Sequence, residues 1–255
     1  MHKLLITAAA VMTMTGSAYA AEVGGKVELD FAETAAGDWG GTMGVKMDVD
    51  AAVGNVALDF KASDGNAITL DKWRVGTDLG GIALDMGDDL GVMPGAEGEH
   101  TLAAPAMSEA VRATVGDASV AVGFTDWTAD VTDISNIQGA YTINLAPVSV
   151  TAAGDYNMDS ENIVLGAGIG GFTLGTVDLS GAVTYDTDAE MFAYETVAGM
   201  GGVTAYINGD QDDAMKNIGG EYEYSLADGI TATAGANYDI DAEDLAPTVG
   251  LSFKF

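Results

Sequence analysis

VGLSFKF, residues 249–255, closes the chain, and its reading decides the fold. Val249, Leu251, Phe253 and Phe255 fall on every second position, with Gly250, Ser252 and Lys254 between them. A period of two is that of a β-strand, whose side chains alternate between its faces. Chain ends ordinarily fray into polar residues. An alternating strand that runs to a terminal aromatic therefore implies a partner. The pattern predicts that the last strand pairs with the first and closes the sheet, with the four apolar side chains outward and Ser252 and Lys254 inward.

The same alternation fills the rest of the chain. KVELDF (26–31) sets Val27, Leu29 and Phe31 against Lys26, Glu28 and Asp30, and VALDFK (56–61) sets Val56, Leu58 and Phe60 against Asp59 and Lys61. Sixteen segments read as strands: 23–31, 41–50, 54–62, 67–75, 80–87, 109–115, 118–126, 138–145, 148–156, 161–169, 177–185, 191–197, 202–208, 216–226, 229–238 and 246–255. Fourteen is the alternative count, because 67–75 alternates poorly and the turn near GIGGFTLGT can be drawn several ways. Connections after even-numbered strands are tight, and those after odd-numbered strands are longer on average and acidic. Up-and-down strands with unequal ends predict an all-β, transmembrane, antiparallel barrel.

A secreted β-sandwich also alternates, but three features favour the barrel. Nearly every segment keeps its apolar face, including the first and last. Charges stand at mid-strand on the other face, as a wet interior allows. Aromatics gather at strand ends, with Trp39, Trp127, Tyr156, Tyr185, Phe192 and Tyr238 toward one rim and Trp73, Tyr222, Tyr224, Phe253 and Phe255 toward the other. Such girdles suit a membrane–water interface.

The N-terminus bears on location. MHKLLITAAAVMTMTGSAYA (1–20) has a basic start, a short apolar run and a small-residue ending, the pattern of a secretory signal peptide cleaved before Ala21. The expected domain is then one barrel over 21–255. With no cysteine, neither disulfides nor thiol chemistry are expected. A formal charge of −30 repels nucleic acid, excluding it as a partner, and attracts cations.

One connection stands apart. After IALDMGDDLG (82–91) the alternation stops for about twenty residues, through Pro94 and Pro105, a length that is often functional. On IALDMGDDLG and VGLSFKF, the chain resembles the trimeric general porins of Gram-negative bacteria, the alphaproteobacterial type especially. The resemblance implies an outer-membrane location, a homotrimer in lipid, and a loop at about 88–108 folded inward to narrow the pore. It also implies that the barrel assembly machinery recognises the terminal Phe255.

The basic residues add a separate reading. Lys26, Lys46 and Lys61 share the polar face by parity. Lys72 and Arg74 share parity with Ile68 and Leu70, yet lipid exposure of both charges would be costly, so they too are expected inside. Arg112 extends this basic wall. In the porin reading Asp88, Asp89, Glu97 and Glu99 of the loop face it, with His100 lining the pore, and opposed charges across a constriction screen solutes. The competing reading is ordinary salt bridging with Glu28, Asp30, Asp48 and Asp59. The chain is short for the family, which trims the outer loops, and its wall is mostly lysine. The expected function is passive diffusion of small hydrophilic solutes and ions, with cations preferred. The alternative is a plugged structural or adhesive barrel.

Catalytic chemistry has little support. After signal removal the one histidine is His100, so no pair of a base and a nucleophile is expected, and no enzyme activity or catalytic residue. No cofactor is expected either, calcium aside. Clustered carboxylates can hold calcium, and Asp210, Asp212 and Asp213 are the candidate ligands. They fit no full calcium-loop pattern, which favours loose screening by counterions.

Overall fold

A computed structural model of the chain describes residues 22–33, 39–51, 54–63, 69–94, 107, 109–125, 133–213 and 215–254. The expected signal peptide, Trp127 and Phe255 lie outside the described residues. The strands are β1 (Glu22–Glu33), β2 (Trp39–Ala51), β3 (Gly54–Ser63), β4 (Thr69–Asp78), β5 (Ala83–Gly87), β6 (Ala110–Val115), β7 (Ala118–Phe124) and β8 (Ile134–Leu145). They continue as β9 (Val148–Asn157), β10 (Ile163–Leu174), β11 (Val177–Asp186), β12 (Met191–Met200), β13 (Val203–Asp210), β14 (Asn217–Ala227), β15 (Ile230–Asp239) and β16 (Asp244–Lys254).

All sixteen form one closed antiparallel barrel in chain order. The closing strand behaves as its alternation requires. Val249, Leu251 and Phe253 of β16 stand opposite Phe31, Leu29 and Val27 of β1, while Ser252 and Lys254 stand opposite Glu28 and Lys26. No edge is left unpaired, the condition a sheet must meet where water cannot satisfy its backbone.

The outer surface is apolar. Phe31, Leu70, Met86, Ile143, Leu165, Val183, Phe192, Tyr222 and Tyr224 are exposed, and those of β5, β11, β12 and β14 fall on the odd or even set opposite the charged residues of their strands. Tyr185 and Phe192 stack near one rim with ring centroids 4.5 Å apart, and Tyr222 and Tyr224 near the other at 6.4 Å. The inner face is polar, with hydroxyl pairs such as Thr142 and Thr151 at 2.8 Å.

Turns at one end are two to four residues long. Gly201 and Gly202 fill one of them with φ of 58° and 86°, the positive pair that a two-residue hairpin requires.

Two bulges explain the segments where alternation was weak. In β4 the pairing slips beside Asp71. Leu70 stands opposite Phe60, but Lys72 stands opposite Asp59, so the strand changes parity between them. In β10 the register slips between Ile169 and Phe172, with Gly171 at φ 70°. GIGGFTLGT therefore does not end a strand at 169. β10 runs on to Leu174, and its turn is Gly175–Thr176.

Candidate functional site

The inner wall of β1–β4 carries the basic residues. Lys254, Lys26, Lys46, Asp59 and Lys72 stand opposite one another in a single row across β16, β1, β2, β3 and β4. Lys61 lies one step along β3, opposite Gly44 and Thr69. The β4 bulge brings Lys72 and Arg74 to this face despite sharing parity with Leu70. Lys254 is the member that the basic wall omitted, because β16 is far from β1 in sequence and reaches it only through closure.

The wall is locally neutralised. Lys26 pairs with Glu28. Asp85 of β5 is held by two guanidiniums: Arg74 donates from Nε at 3.1 Å and lies 2.8 Å away through NH2, and Arg112 donates from Nε at 3.2 Å and NH2 at 2.8 Å. Asp85 is buried while Arg112 and Arg74 are progressively more exposed. This Arg–Asp–Arg clamp ties β4, β5 and β6 together where the long connection leaves the sheet. Sequence reading missed Asp85 because its two partners lie on two other strands, β4 and β6.

At Gly87 the chain leaves β5 with φ 140°, and a Cβ there would lie 2.1 Å from the Trp73 carbonyl oxygen. Asp88 then donates its N–H to that same oxygen at 2.8 Å, and its carboxylate accepts from Trp73 N at 2.8 Å. Burial holds the Asp88 carboxyl above its ordinary range, against the opposing hydrogen bond from Trp73. Asp89 pairs with Lys72. Asp88 and Asp89 thus sit against β4, on the basic wall itself, and not across the lumen from it. Both residues directly follow the end of β5, which is paired with β4, so Trp73 and Lys72 are within their reach. Glu97, Glu99 and His100 lie outside the described residues.

From Leu90 the segment turns inward. Leu90 is fully buried with Met107, Ala110 and Ala121, and Val92 packs against this cluster. Asp89 N–H reaches Met107 O at 3.1 Å, so the departing and returning ends of the connection meet. Val92 N–H donates to Oε1 of the buried Gln138 on β8 at 2.8 Å. Met93 and Pro94 then rest on Gly166 and Gly168 of β10. Those glycines alternate with the outward Leu165 and Ile169, so they belong to the inner face. Residues 88–94 therefore lie within the barrel.

Beyond this seat the inner wall is acidic. Asp155 of β9 is buried, with Oδ1 accepting from Asn136 Nδ2 at 2.7 Å and Oδ2 without a partner among the described residues. Glu195 of β12 is 1% exposed, and neither carboxylate oxygen has a hydrogen-bond partner among the described residues.

Of the candidate calcium ligands, Asp210 is the one whose carboxylate has partners among the described residues. The Asp210 carboxylate accepts from the N–H groups of Asp212 and Asp213 at 3.0 Å each and pairs with Lys216 at 2.6 Å. That hydrogen bond holds the Lys216 ammonium above its ordinary range. Among the described residues no three carboxylate or imidazole groups come together as a metal site.

Mutants of the Rhodopseudomonas blastica porin superpose with TM-scores of 0.64 and 0.62 at 11% identity, over 92% of this chain and 100% of theirs. The chain has the porin fold. Salmonella typhi OmpF, in complex with daunomycin, superposes at a TM-score of 0.62 and 10% identity, over 92% of this chain and 97% of that one. A loop-deletion mutant of OmpT, an outer membrane protein of Vibrio cholerae, gives 0.57 at 11% identity, over 94% and 100%. No protein-family model and no curated protein matches the sequence. At these identities the likeness is one of fold, carried by strand number, closure and layout.

Proposed function

We propose that the chain is an outer-membrane porin, a passive diffusion channel for small hydrophilic solutes and ions in a Gram-negative envelope. The observation that carries this reading is the segment 88–94, drawn off the sheet into the interior of a closed sixteen-stranded barrel and fastened to its inner wall. A segment held there narrows the interior without contributing to the outer surface. The apolar outer belt and polar inner face support a barrel in lipid that holds water. The work of the channel needs no chemistry on the solute, only a graded aperture and a charged lining.

The excess of acids, 39 against 9 lysines and arginines, supports a preference for cations. Export through the signal at 1–20, recognition of Phe255 by the barrel assembly machinery and assembly as a homotrimer complete the proposal. The exposed apolar belt gives both lipid and neighbouring barrels a surface to cover.

Swelling of vesicles loaded with the refolded barrel tests the reading. Neutral sugars of increasing size are expected to enter at falling rates. Entry of none of them, from protein shown to be inserted, would overturn it.

A further inference from the structure

We propose that Gly166 and Gly168 on β10 are specificity-determining positions, a seat that fixes how far the inward segment projects and hence the aperture. The inference rests on the porin reading and names two residues that set its selectivity by size.

A Cβ built on Gly168 would lie 2.7 Å from Pro94 Cβ, and one on Gly166 would lie 2.9 Å from both Met93 Cε and Pro94 Cδ. Ordinary carbon–carbon contact is about 3.5–4.0 Å. Any side chain at either position therefore drives the segment off the wall by about 1 Å. The absence of a side chain at both positions is what lets Pro94 lie flat on β10.

The segment has little freedom to respond in another direction. Its near end is fixed at Asp88 by two hydrogen bonds to Trp73, and its middle by Val92 on Gln138. A segment fixed at one wall and lifted at the other moves toward the lumen. Proline suits the contact point, because its ring is rigid and it has no N–H to leave unpaired there.

The chain has no cysteine, so Gly168→Cys with Pro94→Cys gives a single reporter pair. Oxidative cross-linking of that pair in the inserted barrel reads the seat independently of any flux. Single-channel conductance and the sugar cut-off are then compared for wild type, Gly168→Ala, the double variant G166A/G168A, and that double variant carrying Pro94→Gly. Expected are a cross-link, a partial loss of conductance with a lower size cut-off on adding the methyl groups, and recovery when the proline ring is removed. The single variant keeps the test open if the double one fails to fold. No cross-link would overturn the seat. A cross-link with unchanged conductance and cut-off in Gly168→Ala would overturn the role in selectivity and leave the porin reading intact. A wild-type barrel that is inserted but silent would overturn both.

Discussion

Replacing Asp85 by asparagine should destabilise the barrel more than any other single change to its charged lining. The carboxylate receives bonds at 2.8–3.2 Å from two guanidiniums, and its side chain is only 11% exposed. Arg112 is 20% exposed, so its bond is the better shielded, and a charge-assisted bond of this kind contributes about 1.5–3 kcal/mol. Arg74 is 40% exposed, and water screens its share to about 1 kcal/mol or less. The expected loss is therefore about 3 kcal/mol. At a urea dependence near 3 kcal/mol per molar this lowers the unfolding midpoint by about 1 M. Reversible urea unfolding in lipid vesicles, followed by tryptophan fluorescence, measures it. Lys72→Ala is the control, because Lys72 and Asp89 are both about half exposed and their pair contributes about 1 kcal/mol at most. Freed guanidiniums should also move the reversal potential toward anions. A midpoint shift for Asp85→Asn no larger than that of Lys72→Ala would refute the argument.

Three further outcomes are expected. Gly87→Ala should cost about 2 kcal/mol by the same unfolding assay, since φ 140° and a 2.1 Å approach to Trp73 O leave no room for a methyl group. Asp88 is raised above 3.8 by burial, so its contribution to stability is fully present below pH 3.8 and is lost as pH rises through its folded value. Wild type should accordingly gain stability relative to Asp88→Asn on acidification from neutral pH to below 3.8, as read by midpoints at the two pH values. With the Asp210 carboxylate already engaged by Lys216 and two backbone N–H groups, chelation by EDTA should leave the unfolding midpoint unchanged.

Most of the fold was legible because a barrel wall writes a period of two into its own sequence. VGLSFKF specified closure, and β1 and β16 pair as its parity requires. The inward placement of Lys26, Lys46 and Lys61 was equally direct. Lys72 and Arg74 were reachable only by energy, from the cost of charge in lipid, because a bulge at Asp71 leaves no mark in the alternation except its failure. The extension of β10 past Ile169 was hidden for the same reason.

Contacts across the barrel were not legible at all. Pro94 meets Gly168 and Val92 meets Gln138 through closure of the whole sheet, and no local pattern announces a partner that distant. Asp88 and Asp89 were expected across from the basic wall because the loop was treated as a unit. Its first residues stay beside β4, where Trp73 and Lys72 hold them.

Single-channel recording from the refolded protein in a planar bilayer, under a salt gradient, tests the central claim most directly. The porin reading predicts stepwise conductance, appearing in groups of three, with a reversal potential on the cation side. Absence of any conductance from correctly inserted barrels would contradict it and leave a closed barrel whose interior is filled.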